Sequence, residues 1–129
     1  MEIVTRALEA LSRRDDDGFV ARFHRDCEIH HPPEMPDSGA VYRGVDGVRK
    51  WMEDMREVVG MGFGFEPRGY TTGGDVVLIE ATARGVGQSS GIPLEFTTFL
   101  VFEMRDGKIA RAQGSLRRDQ ALEAAGLGE

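Results

Sequence analysis

The sequence predicts an α+β domain with helices on one face of a curved antiparallel sheet, and three observations carry that reading. The start of the chain places Ile3, Val4, Ala7, Leu8 and Leu11 at helical spacing. Further on, Val76 to Val86 and Leu94 to Arg105 are long runs rich in branched and aromatic residues, the composition of strands. Asp106-Gly107, at the end of the second run, is the strongest short-range hairpin signal in the chain. At 129 residues, positions 1–129 form one domain, long enough for a single core.

The elements follow in order. Glu2 to Ser12 is an amphipathic helix, with Arg13 and Arg14 in its last turn. Asp15 or Asp16 caps a second helix, which runs to about His24 and buries Phe19, Val20 and Phe23. Cys27, Ile29 and His31 alternate with Glu28 and His30 as a strand stopped by Pro32-Pro33. Tyr42-Arg43-Gly44 leads into a third helix, Val45 to Val59, with Val48, Met52, Met55 and Val59 on one face and Trp51 at its edge; Gly60 is its stop. Phe63 and Phe65 begin a strand ending in a turn or hairpin loop, GYTTGGD. After the two long strands, Lys108 to Leu116 returns from the hairpin, and Ala121, Leu122 and Ala125 mark a short terminal helix stopped by Gly126.

Composition excludes several functions. A formal charge of −6 opposes nucleic-acid binding, which needs a concentrated basic surface. The single cysteine, Cys27, has no internal disulfide partner and reads as a small buried hydrophobe rather than a nucleophile. The N-terminus lacks the pattern of a signal peptide and no apolar run reaches membrane-spanning length, so a cytoplasmic protein with no membrane partner is expected. His24, His30, His31 and Glu28 are close in sequence, but His30 and His31 should point to opposite strand faces, so no metal is expected. No glycine pattern cradles a phosphate between a strand and a helix, and no cofactor is expected.

Four stretches, RDDDGFVARFHRDCEIHHP, YRGVDGVRKWMEDM, FTTFLVFEMRDGKIARA and RRDQALEAAGL, occur in an order that resembles the SnoaL-like branch of the nuclear transport factor 2-like (cystatin-like α+β barrel) superfamily. The resemblance implies a cone: the sheet wraps around three N-terminal helices and leaves an apolar pocket at the open end. It also implies a small apolar molecule as partner and a homodimer. It does not choose among the superfamily's isomerases, cyclases, hydrolases, dehydratases and non-catalytic binders.

Against the ketosteroid isomerase pattern, the base position falls on His31, the tyrosine position on Ala7, and the acid position near Leu100, beside Phe99 and Val101. Where a SnoaL-type cyclase carries an acid near the end of the last strand, this chain has Gln113-Gly114-Ser115. Arg84 and Glu80 lie four apart on one strand face, without the second carboxylate that a limonene-type epoxide hydrolase needs. The enzyme reading is therefore an acid/base site centred on His31, whose imidazole titrates near neutrality. Glu80 would orient it, and Arg84 or Gln113 would polarise a carbonyl. Tyr42, Trp51, Phe99 and Leu100 complete the candidate ligand contacts. Three readings stand together: an enzyme acting on an apolar carbonyl or polyketide-like compound, a non-catalytic binder using the same pocket, and an interaction protein. The last predicts a filled interior and an apolar outer sheet face, and under it Glu80 and Arg84 are an ion pair on that face.

Overall fold

The computed structural model describes residues 2–30, 41–59, 64–86 and 93–126. The elements are α1 (Glu2–Ser12), α2 (Asp16–Val20), β1 (Phe23–His30), β2 (Val41–Arg43), α3 (Gly44–Val59), β3 (Gly64–Gly73), β4 (Val76–Val86), β5 (Pro93–Arg105), β6 (Lys108–Ser115) and α4 (Arg118–Ala125). The sheet runs β2-β1-β6-β5-β4-β3, curved and unclosed. Its pairs are antiparallel except β1–β6, which are parallel, so the sheet is mixed.

Strand alternation divides the sheet into two faces. Val77, Ile79, Ala81, Leu100, Phe102, Ile109 and Ala112 face inward and share one core with Val4, Leu8, Leu11, Phe19 and Met52 of α1 to α3. Leu78, Phe99 and Val101 face outward and are covered by Ala121 and Ala125 of α4. The central strands are thus apolar on both faces where helices lie on both sides.

Helix ends follow from local chemistry. Arg14 stands at φ 60°, and the amides of Asp15 and Arg14 donate to Ala10 O (2.8 Å) and Leu11 O (3.2 Å), closing α1 as a Schellman motif. Asp15 then caps α2, its carboxylate accepting from Gly18 N at 3.1 Å. Asp106 (φ 54°) and Gly107 (φ 76°) form the expected β5–β6 turn, both central residues left-handed as a type I′ hairpin requires.

Several details differ from the sequence reading. Helix α1 ends at Ser12 as expected, but Arg13 and Arg14 then lie in the connection rather than in its last turn. Helix α2 ends at Val20, not His24, and Phe23 opens β1. The four-residue step from Phe19 to Phe23 imitates a helix face, but Arg22 O accepts from Ile109 N at 2.9 Å and commits the chain to the sheet. The rings still meet edge to face at 5.0 Å. Val41–Arg43 is a strand paired to β1, too short to show a period; cross-strand Arg43 Nη1 donates to Glu28 Oε2 at 2.7 Å. In GYTTGGD the threonines stay in β3, opposite Leu78 and Val77, and only Gly74 and Asp75 turn. The expected stops at Pro32-Pro33 and Gly60, the strand start at Phe63, and most of the turn after β4 lie outside the described residues.

Candidate functional site

Between the inner sheet face and the helices is a cavity of about 80 Å³. Its wall takes Leu8 and Leu11 from α1, Phe19 from α2, Trp51 and Met55 from α3, Phe65 from β3, Leu100 and Phe102 from β5, and Ala112 and Gly114 from β6. Trp51 stacks on Phe19, ring centroids 5.9 Å apart at 22°, so one flat aromatic pair forms part of the enclosure. Phe96 and Leu116 reach it from the surface, 42 % and 38 % exposed, and mark its open side.

Polar groups at this wall are few and already engaged. The buried Thr98 hydroxyl donates to Ser115 O at 3.0 Å. His30 and Gln113 border the cavity, but they are register partners that alternate with Ile29 and Ala112, so their side chains belong to the outer face. There His30 Nε2 is 3.0 Å from Glu28 Oε1, and Gln113 Oε1 accepts from Arg111 at 2.9 Å. The His30 ring, with Arg43 on the other oxygen, holds the Glu28 carboxyl below the usual carboxylate range. Among the described residues no carboxylate lines the cavity. The arrangement suits an uncharged apolar group, with little to orient a charged one.

The residues singled out from sequence separate into three places. Trp51 and Leu100 lie at the cavity, and Gln113 borders it with its side chain on the outer face. Glu80, Arg84, Phe99 and Tyr42 are not in its wall. Glu80 is on the outer face, 3.7 Å from Arg118 of α4. Arg84 pairs there with Glu95 (2.7 Å) and Glu66 (3.2 Å). Phe99 packs under α4, and the Tyr42 hydroxyl donates to Asp54 Oδ2 at 2.7 Å. His31 lies outside the described residues. Sequence reasoning passed over Phe19, Phe65, Phe96 and Thr98 as wall residues. The signal for two of them was present: Phe96, Thr98, Leu100 and Phe102 are alternate residues of one strand and share a face.

A sheet curved over three helices around an apolar cavity defines a small-molecule-binding class of nuclear transport factor 2-like fold. The model of the SnoaL-like domain family matches residues 4–112, and the chain belongs to that family. Comparison with curated proteins gives no match. Among solved structures, a proposed polyketide cyclase from Sinorhizobium meliloti is similar at 27 % identity and TM-score 0.71, over 88 % of this chain and 94 % of that one. TerC crystallised with polyporic acid is similar at 24 % identity and TM-score 0.80, over 96 % and 95 %. A Catenulispora acidiphila protein of ketosteroid isomerase-like fold, in complex with trimethylamine, is similar at 20 % identity and TM-score 0.77, over 98 % and 93 %. The last two similarities show the fold.

Proposed function

We propose that this protein binds a small, uncharged apolar compound, ring-containing and polyketide-like, against the Trp51–Phe19 stack. The observation that carries the reading is the apolar cavity itself, walled by aromatic and aliphatic side chains, with the buried Thr98 hydroxyl already bonded. Two similar structures were solved with small molecules, polyporic acid and trimethylamine, which supports the same use of the fold here. The interaction-protein reading is weaker, since the interior holds a cavity and much of the outer face carries α4 and ion pairs.

We also propose a catalytic step, on the strength of the sequence alone. His31, which falls on the base position of the ketosteroid isomerase pattern, is the imidazole we assign to it. Its neutral nitrogen would take a proton from the carbon beside a carbonyl and return it to another atom of the same ligand, an isomerisation or ring closure without cofactor. Glu80 and Arg84, across the sheet, have no part in this reading. The homodimer and the cytoplasmic setting rest on the family resemblance and on sequence character; sedimentation at twice the chain's 14.2 kDa is the expected result for the former. No described helix is long and apolar enough to cross a membrane.

Trp51, the sole tryptophan, reports on the site directly. Apolar ketones and aromatic polyketide-like compounds should change its emission saturably, and no saturable change with any of them would contradict binding. For a compound that is turned over, His31→Ala should abolish turnover and leave binding intact; unchanged turnover removes the catalytic step alone.

A further inference from the structure

The sheet side of the cavity is shaped by β6. This strand contributes Ala112 and Gly114, the two smallest residues of the wall. Their partners on the neighbouring strands are large. Phe102 of β5 stands opposite Ala112 and Leu100 opposite Gly114, while Ile29 of β1 flanks Ala112 on the other side. The inner face therefore carries a trough, floored by β6 and flanked by side chains of β1 and β5. Two strand spacings put the flanking backbones about 10 Å apart. A flat ring on edge needs about 7–8 Å between the carbon atoms on its two faces, twice one van der Waals contact. The trough is one ring thick.

The backbone does not account for a glycine at 114. Its pairing is regular, Val101 with Gln113, Leu100 with Gly114 and Phe99 with Ser115, so the position is not a bulge. Nor is it among the glycines at positive φ, which are Gly44, Gly74, Gly107 and Gly126. Glycine inside a strand weakens it, and elsewhere marks close approach of a ligand or a second backbone. The space over Gly114 belongs to the cavity. Length is set at the other end. About 80 Å³ is less than the ~150 Å³ of an engineered apolar cavity that binds benzene. A larger ligand is therefore only partly enclosed, and its remainder leaves by the open side, past the exposed Phe96 and Leu116.

We infer that Gly114 is a specificity-determining residue, its bare backbone the floor on which the edge of a planar aromatic ketone rests. The ring stands between the side chains of β1 and β5, and its far end emerges between Phe96 and Leu116. A globular saturated ring system is rejected because it is wider than the trough. This deepens the binding proposal and rests on it.

The test compares 2-acetonaphthone, which is flat, with 1-adamantyl methyl ketone, a cage with the same number of carbons. Dissociation constants are read from the Leu100 and Leu116 methyl resonances in wild type, Gly114→Ala and Gly114→Val. Thermal midpoints are recorded for each protein without ligand. The wild type should bind the flat ketone at least about tenfold more tightly than the cage. Gly114→Ala should weaken the flat ketone by about tenfold, and Gly114→Val further. The alanine variant should at the same time melt about 2–4 °C higher, because alanine is favoured over glycine inside a strand. A merely structural glycine predicts the opposite sign. A lowered midpoint or loss of folding in Gly114→Ala therefore overturns the role of Gly114. Equal affinity of the two ketones for the wild type, or an unchanged flat-ketone constant in the variants, overturns the trough while leaving the binding proposal in place. Failure of both ketones to bind any of the three proteins overturns both.

Discussion

Asp16 shows how a surface carboxylate can hold two helices together. Arg56 of α3 grips it with two bonds, Nη2 to Oδ1 at 2.7 Å and Nη1 to Oδ2 at 3.0 Å, while Arg49 reaches Asp17 at 2.8 Å. Hydrogen bonding to Arg56 holds the Asp16 carboxyl below its ordinary value of 3.8. A depressed folded value means that the pair stabilises fully above the unfolded value and loses that contribution as pH falls through the folded one. Asp16→Asn should therefore cost about 0.5–1 kcal/mol at neutral pH, the upper part of the range for a partly exposed pair because the fork is bidentate. The difference should shrink below pH 3.8 in urea denaturation of both proteins; a difference that persists unchanged in acid would refute the assignment. The same scale shows where sequence reading stops. Leu100 and Phe99 were chosen together as ligand contacts, yet adjacent strand residues take opposite faces, and only the former reaches the cavity. Which face is inward depends on the helices, and both faces of β5 are apolar because α4 covers the second. An apolar run read by itself cannot make that choice.

At the scale of elements, the turns and caps were the most legible features because their chemistry is local. Asp106-Gly107 as hairpin and Gly126 as the stop of α4 stand where residue type alone places them, and of the two candidate N-caps, Asp15 and Asp16, the former caps α2. The connection after α1 was less legible, since a left-handed C′ residue is usually glycine and here is Arg14. That position carries a strain of about 1–2 kcal/mol, so Arg14→Gly should raise stability by about 0.5–1 kcal/mol, after the glycine's greater unfolded-state entropy is subtracted. At Gly107, φ 76° makes the converse change unfavourable, and Gly107→Ala should lower stability by about 1 kcal/mol. Thermal unfolding of the two variants checks both signs. The parallel pairing of β1 with β6 was not legible at all. Its partners are separated by most of the chain, and no local pattern in either strand names the other.

At the scale of the whole molecule, the sheet's curvature makes one face a container and the other a polar or helix-covered exterior. Glu80 and Arg84 could be recognised as sharing a strand face but not as sharing the outer one; Arg118 and Glu95, their nearest ion-pair partners, come from other elements. Glu80→Gln and Arg84→Gln should therefore leave ligand affinity unchanged within about twofold, because neither side chain reaches the cavity. A ligand is expected in the inner apolar cavity. The most direct measurement is a methyl-resolved NMR titration with a ketone that alters Trp51 emission. Methyls of Leu8, Ile29, Met55 and Leu100, on the cavity wall, should shift together with one dissociation constant, while those of Leu78 and Val101 beneath α4 stay in place. Shifts confined to Leu78 and Val101, or none at the wall methyls at saturating ligand, would contradict the claim.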